Sequence, residues 1–305
     1  MQDALLVTES SIVWLRVPSE SPVKKDRVSV TSIPVRGLSA LPGRKQLRCG
    51  AARFLSGSIA EVAAGGMVSQ GGAVLCIGFF DLSANAGVTT LAVLPASCQA
   101  GHITAVSWVP RDNGGHNASK LAVLSADGGV QVWEVSTNPT EFALSQFRLL
   151  GVLNGVSAPS GLIENASAIA FIGDDIAAIG GERSGVINFY QISNISCPSG
   201  NCKDAHMMSL RDPALSSITD LCTIASSSMS RLTVFGPGGM SVWEIQVYGW
   251  GIDHLYHGFD DRCGSNGSTA SNAVRGSSLM QGGTKARIVS MSPLGVVSLY
   301  AFDCI

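Results

Sequence analysis

Residues 101–135 read GHITAVSWVPRDNGGHNASKLAVLSADGGVQVWEV, and they constrain the fold more than any other part of the chain. Three apolar runs lie there, at 103–109, 120–125 and 129–135. Each alternates in polarity or is rich in β-branched residues, and turn residues separate them. That pattern predicts a three-strand antiparallel meander. Gly101-His102 opens it, Asp127-Gly128 turns it and Trp133-Glu134 closes it.

Weaker copies recur along the chain. Residues 4–17 predict two strands joined at 9–11, with Trp14 near the end of the second. A further alternating strand follows at 27–35, and 36–48 is expected to be a loop. The next copy has strands at 49–55, 59–68 and 73–82, with Phe79-Phe80-Asp81 closing it, and an outer strand at 89–94. After the opening copy, an outer strand is expected near 142–150. The fourth copy has strands at 168–172, 176–180 and 185–192, closed by Phe189-Tyr190, with a possible outer strand at 205–210. The fifth runs through 217–224, 231–235 and 239–245 and ends in Trp243-Glu244. A last hairpin joins 286–292 to 295–302, with Leu299-Tyr300 in the closing place; residues 246–284 read as irregular. From Phe79 onward the closing residues recur about every 55 residues. Regular recurrence of one strand-rich unit marks a propeller or solenoid, and alternating strands with aromatic endings favour the propeller.

With its Gly-His start, turn aspartate and Trp-Glu end, the third copy resembles a WD40 repeat, whose usual ending is Trp-Asp. The resemblance implies a single all-β propeller domain over residues 1–305, of six to seven four-stranded blades. The period exceeds the roughly 40–45 residues of a compact repeat. Loop insertions near 36–48, 111–119, 151–165, 193–204 and 262–284 account for the excess. The first copy lacks an innermost strand and the last an outermost one. Residues 2–8 could close the ring, a diverged seventh blade could lie in 18–48 or 246–284, or a partner could complete an open ring. The family pattern further implies a hydrogen-bonded set of His102, Ser125, Asp127 and Trp133 that holds one blade together. The fifth copy keeps Trp243 but has Ser217 where the histidine would be.

Composition narrows the function. Hydrophobic residues make up 46% and charged residues 14% of the 305, enough to bury a sizeable core. Net charge is −2, and no basic cluster exceeds Lys24-Lys25, which speaks against nucleic-acid binding. The longest apolar run, 73–80, is far short of a membrane span. The N-terminus has no basic region of the signal-peptide kind. The eight cysteines lack a disulfide-framework spacing and are expected to be mostly reduced. The sequons at Asn117, Asn165, Asn194 and Asn266 are expected to be chance matches in a serine-rich chain.

Candidate chemistry is sparse. His254, His257, Asp260 and Cys263 carry ligand-type side chains, and one helical turn would bring the two histidines together, but the spacing matches no standard zinc signature. A solvated loop is the plainer reading. Cys197 and Cys202 sit in a polar loop, where a metal clip or redox disulfide is weighed against exposed thiols. The pairs Gly65-Gly66, Gly71-Gly72 and Gly180-Gly181, and the run 236–239, are expected in hairpin turns, at positive φ. None precedes Lys-Ser/Thr, so phosphate cradling is not indicated. Adjacent carboxylates at Asp174-Asp175 and Asp260-Asp261 read as turns. On the predicted inner strands Thr104 and Asp220 are the few polar exceptions. No catalytic, cofactor-binding or metal-ligating residue is assigned, and no cofactor.

The expected function is therefore that of a non-enzymatic intracellular scaffold or adaptor, in the nuclear envelope, nucleus or cytoplasm. Its partners would be other protein subunits of a nuclear-pore or vesicle-coat assembly, with no direct nucleic acid, membrane insertion or small-molecule substrate. The alternatives are an adaptor in a ribosome- or RNA-processing, ciliary or ubiquitin-ligase complex, or a propeller with a ligand-binding or enzymatic site in its central channel.

Overall fold

The computed structural model describes residues 2–7, 10–17, 29–35, 45–56, 58–68, 72–81, 83–84, 86–92, 94, 102–110, 118–126, 129–138, 143–153, 166–181, 183–192, 205–225, 229–237, 239–246, 251–259, 275–281, 285–291 and 297–303. Among these the regular structure is strand, arranged as six sheets in which neighbours in sequence pair. The first sheet has three strands: β1 (Gln2–Val7), β2 (Ser11–Val17) and β3 (Ser29–Pro34). The second has β4 (Lys45–Ser56), β5 (Ile59–Val68), β6 (Gly72–Asp81) and β7 (Ala86–Ala92). The third has β8 (Ile103–Trp108), β9 (Ala118–Ser125), β10 (Val130–Asn138) and β11 (Ala143–Leu153). The fourth has β12 (Ala166–Ile172), β13 (Ile176–Gly181), β14 (Ser184–Gln191) and β15 (His206–Arg211). The fifth has β16 (Asp220–Ala225), β17 (Met229–Gly236), β18 (Gly239–Gln246) and β19 (Gly251–Phe259). The last has three strands: β20 (Arg275–Gln281), β21 (Lys285–Met291) and β22 (Val297–Asp303).

The chain divides into two compact units, one carrying the first three sheets and one the last three. In the first unit, strand alternation sends neighbouring side chains to opposite faces of the second sheet. Ala60, Val62, Ala64 and Phe80 pack with Ile12 and Val35 of the first sheet's region. Ala63, Ile77 and Phe79 pack with Ile103, Val123 and Trp133 of the third. The adjacent aromatics Phe79-Phe80 thus fill two cores from one strand. In the second unit, Phe189 belongs to a core shared with Ile218, Leu232, Val234 and Trp243.

Three of the four four-stranded sheets repeat a local device. The ladder of the first two strands slips near its start, between Leu47 and Cys49, Ile103 and Ala105, and Ala166 and Ala168. The extra residue of such a bulge is re-aimed. Here two of the extra residues are hydroxyls that bond a carbonyl of the second strand: Thr104 Oγ1 to Leu124 O at 3.3 Å and Ser167 Oγ to Gly180 O at 3.3 Å. Just before β16, Thr219 Oγ1 does the same to Phe235 O at 3.2 Å. Two outer strands are also bulged. The β14–β15 register shifts between Phe189 and Tyr190, leaving Met207 as the extra residue, and the β18–β19 register shifts between Val242 and Trp243.

The glycine pairs correct one expectation. Gly65-Gly66 lies inside β5 and Gly180-Gly181 inside β13, Gly72 opens β6, and Gly236 and Gly239 end and begin strands; Gly71 and Gly238 lie outside the described residues. Among the described residues the positive-φ glycine is Gly173, at 62°, in the β12–β13 turn. Gly65 and Gly180 are glycine because the next sheet leaves no room. A Cβ there would meet Ile103 Cγ2 or Ile218 Cγ2 at 2.5 Å. Both pairs recur 115 positions apart, and Phe79/Phe189 and Trp133/Trp243 recur 110 apart. The second and third sheets are therefore built like the fourth and fifth.

Other boundaries also differ. Gln2–Val7 pairs with Ser11–Val17 in the first sheet. Strand β4 begins at Lys45 inside the expected loop 36–48, and β11 extends to Leu153 inside 151–165. The irregular tract 246–284 holds two strands, β19 and β20. In each case the pairing partner supplies the order, which local composition does not report.

Candidate functional site

Asp212, the residue after β15, gathers a dense set of hydrogen bonds. Its backbone N–H donates to Gly185 O at 2.7 Å. The residue is 2% exposed. Oδ1 accepts the backbone N–H of Ala214 at 3.0 Å and of Leu215 at 3.2 Å. Oδ2 accepts the Ser241 hydroxyl and the Trp243 indole N–H, the latter at 3.1 Å. Four donors around one buried carboxylate offset its loss of water. The effect is to tie the segment entering the fifth sheet to that sheet's third strand. Ser217, expected at this place, is half-buried; the polar work falls to Asp212. The available signal was the Asp212-Pro213 dipeptide, a turn former just before a strand.

The third sheet handles its tryptophan differently. Trp133 Nε1 donates to Gln131 Oε1 at 3.2 Å, and its ring stacks on Phe147 with centroids 4.3 Å apart. Gln131 and Ser241 each stand two residues before the tryptophan, on the same strand face. That Gln/Ser-x-Trp spacing is the sequence signal for the two contacts. Ser125 is buried and His102 half-buried, and His102 O accepts Ala126 N–H at 3.0 Å. Asp127 lies outside the described residues. The glutamates that follow the tryptophans reach arginines on neighbouring strands: Glu134 Oε2 pairs with Arg148 at 2.7 Å and Glu244 Oε2 with Arg231 at 3.6 Å.

A second buried cluster, absent from the sequence reading, joins the second and third sheets. Arg53 and Glu61 are cross-strand partners on β4 and β5. Arg53 Nε donates to Glu61 Oε2 at 2.7 Å, and its Nη2 bonds both Glu61 Oε2 and Ser119 Oγ. The guanidinium lies 4.2 Å from the centre of the Trp108 ring, a cation–π contact. Trp108 Nε1 in turn donates to Ala51 O at 3.3 Å. The Arg53 and Glu61 side chains are 13% and 0% exposed. Sequence spacing cannot flag this cluster, because Ser119 is 66 residues from Arg53.

The remaining candidates are dispersed. Asp81 caps the β6–β7 turn. The Ser83 hydroxyl, then the backbone N–H groups of Ala84 and Ser83, hold its carboxyl below the usual carboxylate range. Burial pushes the Cys76 thiol up to about 12. Asp174 and Asp175 lie in the β12–β13 turn, where Asp175 Oδ2 accepts Gln191 Nε2–H at 3.1 Å. Asp220 Oδ1 accepts the N–H of Leu221 at 3.0 Å. His254 and His257 lie on β19, a strand rather than a helical turn or a loop. Asp260, Asp261, Cys263, Cys197 and Cys202 lie outside the described residues. Among the described residues no three histidine, cysteine or acidic side chains converge as metal ligands.

No family model and no curated protein sequence matches the chain. Among solved structures it is similar to AofleA from Arthrobotrys oligospora and to a variant of that protein with three arginines replaced by alanine. In each comparison identity is 11%, the TM-score 0.55, and the match covers 96% of this chain and 76% of the other. Likeness at that identity bears on fold alone. The chain is an all-β protein of the β-propeller arrangement, with four four-stranded blades among its described residues.

Proposed function

We propose that this protein is a non-enzymatic WD40-like propeller, of six to seven blades, that serves inside the cell as a docking subunit of a nuclear-pore or vesicle-coat type assembly. The observation that carries the reading is the use made of its buried polar groups. The Asp212 carboxylate takes four donors from its own fold, and the Arg53 guanidinium, paired with Glu61 in the second sheet, reaches Ser119 and Trp108 of the third. Groups spent in this way stiffen each unit locally and support a scaffold role over a catalytic one. Rigid scaffolds of this kind present loops for recognition. Two three-stranded sheets beside the four-stranded ones support a count of at least six blades, and the Trp-Glu endings support the WD40 kinship.

Size-exclusion chromatography of a gentle native extract, followed by identification of co-eluting proteins, tests this. The expected result is elution in a large assembly together with defined pore or coat subunits. Elution as a lone monomer overturns the scaffold reading. Co-elution with a different machine would keep the docking role and replace the assembly.

A further inference from the structure

We draw no further inference here: the strongest candidate, the His206–Ser209–Asn188–Tyr190 side-chain cluster on the outer part of the fourth sheet, is spent on fixing that strand, because the Ser209 hydroxyl gives its proton to Asn188 Oδ1 at 2.6 Å and so cannot also give it to His206 Nε2 at 3.1 Å.

Discussion

The Trp243 indole donates to the Asp212 carboxylate at 3.1 Å, joining residues 31 positions apart. Replacing Asp212 with alanine takes the acceptor from the buried Ser241 hydroxyl, from the buried Leu215 N–H and from the Ala214 N–H, while the Trp243 indole keeps Ser241 Oγ at 3.0 Å. Each orphaned donor costs about 1–3 kcal/mol. Asp212→Ala is therefore expected to lower stability by at least about 2 kcal/mol in urea unfolding. Ser217→Ala, at the position a repeat consensus would select, is expected to stay within about 0.5 kcal/mol of the parent. Equal losses from the two substitutions would show that Asp212 is not the tie.

The Gly65–Ile103 approach predicts a coupled pair. Gly65→Ala places a Cβ at 2.5 Å from Ile103 Cγ2 and should cost about 1–3 kcal/mol by overpacking. Ile103→Ala alone opens a cavity and costs about 2–5 kcal/mol. Together they should lose less than the sum, with a coupling of about 0.5 kcal/mol or more. Gly72→Ala is the control, since a Cβ there meets nothing within 4 Å. A strictly additive double-mutant cycle would rule the contact out.

Breaking the Arg53–Glu61 pair from one side should be worse than removing it whole. Glu61→Leu leaves a largely buried guanidinium uncompensated and is expected to cost about 3–5 kcal/mol. Arg53→Met combined with Glu61→Leu should recover most of that, less the contribution of the Trp108 contact. Denaturant midpoints of the three variants decide it. A double variant no better than Glu61→Leu contradicts the assignment.

The Cys76 thiol makes a pH prediction. Its pKa is raised from 9.0 to about 12 in the folded chain, chiefly by burial. The stabilisation is fully present below pH 9, where the thiol is neutral in both states. As pH rises from 9 toward 12 the unfolded chain ionises first, and stability falls. Cys76→Ala should flatten that part of the curve. At pH 8 iodoacetamide should leave Cys76 unmodified in the folded protein and alkylate it in urea. Rapid native labelling of Cys76 would refute the buried, neutral thiol.

Much of the strand order was legible because alternation and aromatic endings are local signals. Phe79, Trp133, Phe189 and Trp243 do sit on the third strands of their sheets. What escaped was set between sheets. Gly65-Gly66 and Gly180-Gly181 looked like turns, since glycine's scarcity in strands is a strong prior. The true cause, an isoleucine from the next sheet, has no local trace. Asp212 escaped because the tie comes from outside the sheet it fastens. Trp133 and Trp243, which the WD40 resemblance singles out, each donate to the side chain two residues back, Gln131 and Ser241, and Trp243 donates also to Asp212.

The slipped registers on β15 and β19 bear on how the molecule behaves when crowded. Outer strands end their ladders with unclaimed N–H and C=O groups, and a straight row of them invites another chain to add on. A single extra residue, Met207 on β15, throws that row out of step partway along. A foreign strand aligned with one half would be misaligned with the other. These irregularities thus guard a strand-rich protein against growing into fibres.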